Sequence, residues 1–123
     1  MRDNHFTRPT LLAAIELLDA QLSQAKFNQL VLRLGLEHSI PDDTSVSVAK
    51  KAAQLGRAVL ANGSHVVRTL EGSVTLTEAV VREAVALTTN STSPAAQQVR
   101  LVRGLALDGF VVEWAEDWPH DPR

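Results

Sequence analysis

Apolar residues recur along this chain at the three-to-four spacing of helices, in runs separated by short polar stretches edged with Ser, Thr, Pro, Asn or Gly. Leu11, Ile15, Leu18 and Leu22 follow Thr7, whose hydroxyl suits an N-cap, and Pro9, whose missing donor costs little in a first turn. The spacing predicts a first helix over 8–22. Ser23 caps a second, whose stripe of Phe27, Leu30, Val31 and Leu34 stops at Gly35. Gly35 suits the left-handed position of a Schellman motif, with Leu36 packing back on the last turn. Ser39-Ile40-Pro41-Asp42-Asp43 reads as a loop with Ile40 as an apolar plug. Thr44 or Ser45 then opens a third helix that buries Val48, Ala52, Leu55 and Val59, directs Lys50, Lys51 and Arg57 elsewhere, and ends at Asn62-Gly63.

Residues 65–70 read either as one short helical turn or as a loop with Val66 and Leu70 buried, closed by Gly72. Thr75-Leu76-Thr77-Glu78 fits a capping box and predicts a helix to about Leu87, burying Ala79, Val80, Val81, Ala84 and Val85 in some combination. The polar connector 88–92 leads to Ser93-Pro94, an N-cap with proline at the first helical position. The helix it predicts runs to Leu107 with Val99, Val102, Leu105 and Ala106 inward. Asp108-Gly109 is a turn, and Phe110–Trp114 has the composition of a strand, whose partner would be a hairpin return, another protomer's edge or a longer chain. The expected fold is therefore all-α: a compact bundle of five to six short helices with a short C-terminal strand or hairpin. Residues 1–123 are expected to form one helical interaction domain, with 110–123 as an acidic strand or tail extension.

A chain of 123 residues is long enough to bury roughly 65% of its unfolded surface. With 45% hydrophobic and 21% charged residues it has the balance of a globular domain, and no apolar run approaches a membrane span. The N-terminus lacks the basic start and apolar stretch of a secretory signal and there is no cysteine, so a cytoplasmic location is the default expectation. A net charge of −2 with dispersed Lys and Arg lacks the footprint of a nucleic-acid binder.

Candidate chemistry is sparse. His5, His38, His65 and His120 lie far apart without metal-helix spacing, so no metal or cofactor is implied. Glu37-His38 with Asp42-Asp43 is the nearest approach to a general acid–base group, and a solvated connector explains it better. The glycines at 104 and 109 lead into Phe110-Val111 where a phosphate loop requires Lys followed by Ser or Thr. Two basic strips remain, Lys50, Lys51 and Arg57 on the third helix and Arg100 and Arg103 on the last; both read as solvated faces, as partners for acidic patches or, last in order, as phosphate binders. The acidic counterparts would be Asp42-Asp43 or the C-terminal tail, which allows head-to-tail contact between identical subunits. Trp114 and Trp118 offer aromatic anchors, or pack on the domain's own helices.

Phe27-Asn28-Gln29-Leu30-Val31-Leu32-Arg33-Leu34-Gly35-Leu36-Glu37, the polar loop holding Ile40 and the Ser-led helix with Leu55 together resemble the central part of bacterial effector-associated domains, small death-domain-like helical modules. The run of the last helix into Leu107-Asp108-Gly109-Phe110-Val111-Val112 is similar to the ending of helical N-terminal regions in abortive-infection-like proteins. The helix count also resembles caspase-recruitment domains, from which the terminal strand departs. The resemblance implies a death-fold-like bundle that recruits a like domain and so concentrates an anti-phage effector, a protease or nuclease, with no catalysis of its own. The expected contacts are Arg33, Lys50, Lys51 and Arg57 on one face, Glu37, Asp42 and Asp43 on another, and Trp114. A winged-helix DNA binder formed from the last two helices and the strand, with Arg100 and Arg103 on phosphate, is the alternative. An enzyme using Glu37, His38 and Asp42 is a third reading.

Overall fold

Small side chains on the first helix determine how the rest of the chain stacks. The order of elements is α1 (Arg8–Gln21), α2 (Gln24–Leu34), α3 (Val48–Asn62), β1 (Val66–Thr69), β2 (Gly72–Thr75), α4 (Leu76–Val85) and α5 (Ala96–Leu107). The computed structural model describes residues 6–114; the expectations for His5 and for the tail from residue 115 onward, Trp118 and His120 included, lie outside them. α1 buries Thr10, Leu11, Ala13, Ala14, Ile15, Leu17 and Leu18, more than one stripe of its surface. A helix hidden on most of its circumference belongs inside a bundle, and α3, α4 and α5 all pack on it.

α5 comes closest. A Cβ placed on Gly104 would lie 2.6 Å from Thr10 Oγ1 and 3.2 Å from Thr10 Cα, so the two helices meet with no room for a side chain. Gly104→Leu should therefore lower stability by about 1–3 kcal/mol through overpacking, although leucine favours helix more than glycine does. The urea midpoint measures this; an unchanged midpoint would mean that the helices do not cross at this residue.

The local stop and start signals act mostly as the sequence indicates. The Ser23 hydroxyl accepts from the Lys26 N–H at 3.3 Å, and the Thr75 hydroxyl accepts from the Glu78 N–H at 3.2 Å. Gly35 takes φ 71°. Its N–H reaches the Leu32 carbonyl and the Leu36 N–H the Val31 carbonyl, completing the Schellman pair. Ile40 is buried. α3 starts later than expected, at the Ser47 cap, because Ser45 is spent elsewhere: its N–H and hydroxyl both donate to Asp43 Oδ1, at 2.9 and 2.7 Å.

Residues 65–70 form neither a helical turn nor a buried loop. β1 and β2 pair antiparallel with Val66 opposite Thr75 and Thr69 opposite Gly72. Val67 is buried, whereas Val66 is 59% exposed and Leu70 stands fully exposed at the turn. The β-branched residues on both strands favour this pairing. The Thr69 hydroxyl locks the turn by donating to the Gly72 carbonyl at 2.7 Å and accepting from the Glu71 N–H, while Gly72 takes φ 117°.

α5 begins at Ala96 after an Ala95 cap, not at Pro94, since Ser91 Oγ captures the Ser93 N–H. Gln98 instead ties the connector down: its amide donates to the Thr89 carbonyl at 2.7 Å and accepts from the Thr89 N–H at 3.1 Å. The buried stripe is Gln98, Leu101 and Leu105, rotated from the expected one, with Val99 and Ala106 turned out. Close approach at Gly104 sets that phase.

The expected C-terminal strand or hairpin is not formed among the described residues; the hairpin lies between α3 and α4. Phe110–Trp114 alternates in burial, with Phe110, Val112 and Trp114 toward the bundle and Val111 and Glu113 outward, but joins no sheet. It is pinned by the Phe6 ring stacked on Phe110 at 4.7 Å. Beside it the Thr7 N–H and hydroxyl donate to the Asp108 carboxylate at 2.9 and 3.0 Å. Burial pushes the Asp108 carboxyl up, and the bonds from the Thr7 N–H and the Thr10 and Thr7 hydroxyls outweigh it, holding it below the ordinary carboxylate range. α4, the connector and α5 keep the order expected of a DNA binder, but the segment 110–114 expected to follow them as a strand joins no sheet among the described residues. α4 and α5 pack on α1 and are joined by the connector 86–95, and the hairpin precedes both.

Candidate interaction surface

The structure scatters the charges expected to form one contact face. Arg33, at the end of α2, forks onto Glu83 of α4, Nε to Oε2 at 3.0 Å and Nη2 to Oε1 at 2.9 Å. That hydrogen bonding raises the guanidinium pKa against the opposing effect of burial. With Arg33 53% exposed the pair adds at most about 1 kcal/mol, and its role is to orient rather than to stabilise. Glu37, Asp42 and Asp43 lie exposed on the loop between α2 and α3. The Ser45 hydroxyl and N–H hold the Asp43 carboxyl below its ordinary range. Lys50 and Arg57 are exposed, one helical face apart by seven residues on α3.

Lys51 contradicts its expected place on a contact face. Its side chain is wholly buried, and Nζ donates to Gln24 Oε1 at 2.7 Å and Asn28 Oδ1 at 2.9 Å across the α2–α3 contact. Gln24 in turn donates from Nε2 to the Val46 carbonyl at 2.6 Å, linking the ammonium to the segment that leads into α3. A buried charge needs such partners. The signal was present: residue 51 is three from Val48 and four from Leu55, within the buried stripe, and Gln24 and Asn28 are one helical turn apart. The second basic strip is also divided, because Arg100 Nε donates to Glu16 Oε1 at 3.1 Å while Arg103 faces solvent.

Trp114 packs on its own domain. It is half-buried, and its indole Nε1 donates to Thr88 Oγ1 at 3.0 Å, while that hydroxyl donates to the Val85 carbonyl at 2.6 Å. The general acid–base grouping is not assembled either: His38, Glu37 and Asp42 are exposed and form no mutual hydrogen bond among the described residues. No group of three His, Asp or Glu among the described residues is placed to hold a metal.

Two open grooves flank α4, and neither was visible in the sequence. One, of about 640 Å³, lies between the end of α2, the hairpin and α4, with Leu34, Val67 and Ala79 below and Arg33, Arg68 and Arg82 around it. The other, of about 580 Å³, lies between α4 and the segment 110–113, walled by Phe6, Val81, Val85 and Phe110. Arg82 separates them and is paired with Glu78 at 2.6 Å. The two most exposed apolar groove-lining side chains are Leu70 in the first and Val111 in the second; Leu107, Leu32, Val66, Leu12, Leu60 and Val99 are exposed elsewhere on the surface. Among the described residues no helix is long and apolar enough to cross a membrane. Comparison of the chain with protein-family models, curated proteins and solved structures finds no match.

Proposed function

We propose that this chain is a protein–protein recruitment domain: it associates with a like domain and so raises the local concentration of an effector of an anti-phage defence system. The observation that carries the reading is the pair of open grooves beside α4, each with a strongly exposed apolar side chain in its lining, Leu70 in one and Val111 in the other. An exposed apolar side chain at the rim of an open groove suits a contact surface, whereas an exposed apolar residue standing by itself is ordinary. The exposed charges Lys50, Arg57, Glu37, Asp42 and Asp43 would act at the rim, where they steer encounter more than they bind. The resemblance of 27–37 and 107–112 to effector-associated and abortive-infection modules supplies the biological setting.

Co-purification of two copies carrying different tags tests self-association, and retention of one copy by the other is the expected result. A gel shift at low salt distinguishes the DNA alternative, because even nonspecific phosphate contacts are strong there. A shift together with failure to co-purify would replace recruitment by nucleic-acid binding.

A further inference from the structure

The outer face of the hairpin is left exposed among the described residues. Val66 and Arg68 share the side opposite buried Val67, as alternate strand residues must, and Leu70 stands fully exposed at the turn beyond them. Arg68 makes no ion pair among the described residues, unlike Arg33 and Arg82 on either side of it. Both outer edges of the two-stranded sheet are unpaired among the described residues.

The groove beside 110–113 carries the complementary features. Phe6, Val81, Val85 and Phe110 give it an apolar wall beside the Arg82–Glu78 pair, Val111 is 82% exposed in its lining, and Glu113 has no ion-pair partner among the described residues. The backbone of 111–113 also makes no hydrogen bond among the described residues, which leaves donors and acceptors open to an incoming strand.

We propose that the hairpin of one copy seats in the 110–113 groove of a second copy. Val66 and Leu70 lie against Phe6, Val81 and Val85, Arg68 meets Glu113, and the hairpin edge runs along the open backbone of 111–113. The inference rests on the self-association reading and names its surfaces. A second copy fits because the two faces complement each other in sign and in apolar character, and both belong to this one chain. They are different surfaces, so each bound copy keeps one free hairpin and one free groove. Assembly is then head-to-tail and grows until a ring closes or the ends are capped.

The test is sedimentation velocity of the full chain across a concentration series, with Arg68→Glu and Glu113→Arg each alone and then mixed in equal amounts. Each single variant sets like charges against each other and should need at least about tenfold more protein to assemble. The equimolar mixture restores opposite charges at every contact and should assemble as the wild type does. Both side chains are exposed, so thermal unfolding should stay unchanged and separates lost contact from lost fold. Either variant assembling at wild-type concentrations, or a mixture that fails to recover, overturns the hairpin–groove contact while wild-type assembly leaves self-association standing. A wild-type chain that stays monomeric overturns both.

Discussion

Lys51→Glu is expected to unfold the domain or to destabilise it by at least about 3–5 kcal/mol. The wild-type ammonium is fully buried and held by two amide oxygens, Gln24 Oε1 and Asn28 Oδ1. A carboxylate in its place would confront those same oxygens with another acceptor, and burying an uncompensated charge costs that much or more. With domain stabilities of about 5–15 kcal/mol, the loss is a large fraction of the whole. Lys51→Met separates the charge from the packing. It keeps the apolar stem but takes the donor from two half-buried amide oxygens, for a cost of about 1 kcal/mol. Urea unfolding followed by circular dichroism measures both. A Lys51→Glu chain as stable as the wild type would mean that the ammonium lies in solvent. One consequence is practical: charge reversal aimed at the surface of α3 belongs at Lys50, because a change at Lys51 reports on folding.

Phe27→Ala should cost about 3–5 kcal/mol. Phe27 has no exposed surface, is the largest fully buried side chain among the described residues, and belongs to the same core cluster as the buried residues of α1. Truncation removes apolar surface from burial and leaves a cavity that the rest of the core fills only in part. The urea midpoint should fall with little change in slope. A loss below about 1 kcal/mol would place Phe27 outside the core.

What could be read from the sequence was the part governed by neighbours along the chain. The caps at Ser23 and Thr75, the Schellman stop at Gly35 and the stripes of α2 and α4 depend on residues within one or two turns, and each is where its spacing places it. What depended on distant contacts was not legible. Four-residue strands such as Val66–Thr69 bury a single residue, Val67, and offer too short a pattern to separate from a loop. The phase of α5 follows from Gly104 meeting Thr10, residues far apart in the chain. Among the candidate contacts, the charge of Lys51 suggested solvent against its place in the buried stripe of α3, and Trp114 stayed undecided. The partners that settle both, Gln24 and Asn28 for one and Thr88 for the other, lie 23 to 27 residues away. The grooves beside α4 are assembled from three or four separate elements, which no local pattern encodes.

The measurement that bears most directly on recruitment is the mass of the full chain by light scattering over a wide concentration range, at low and at physiological salt. Self-association predicts a mass that rises with concentration beyond a single chain. If Arg68 meets Glu113, the rise should come at lower concentration in low salt, since exposed charges are screened over about 8 Å at physiological ionic strength. A mass that stays at one chain at every concentration and both salts would contradict it.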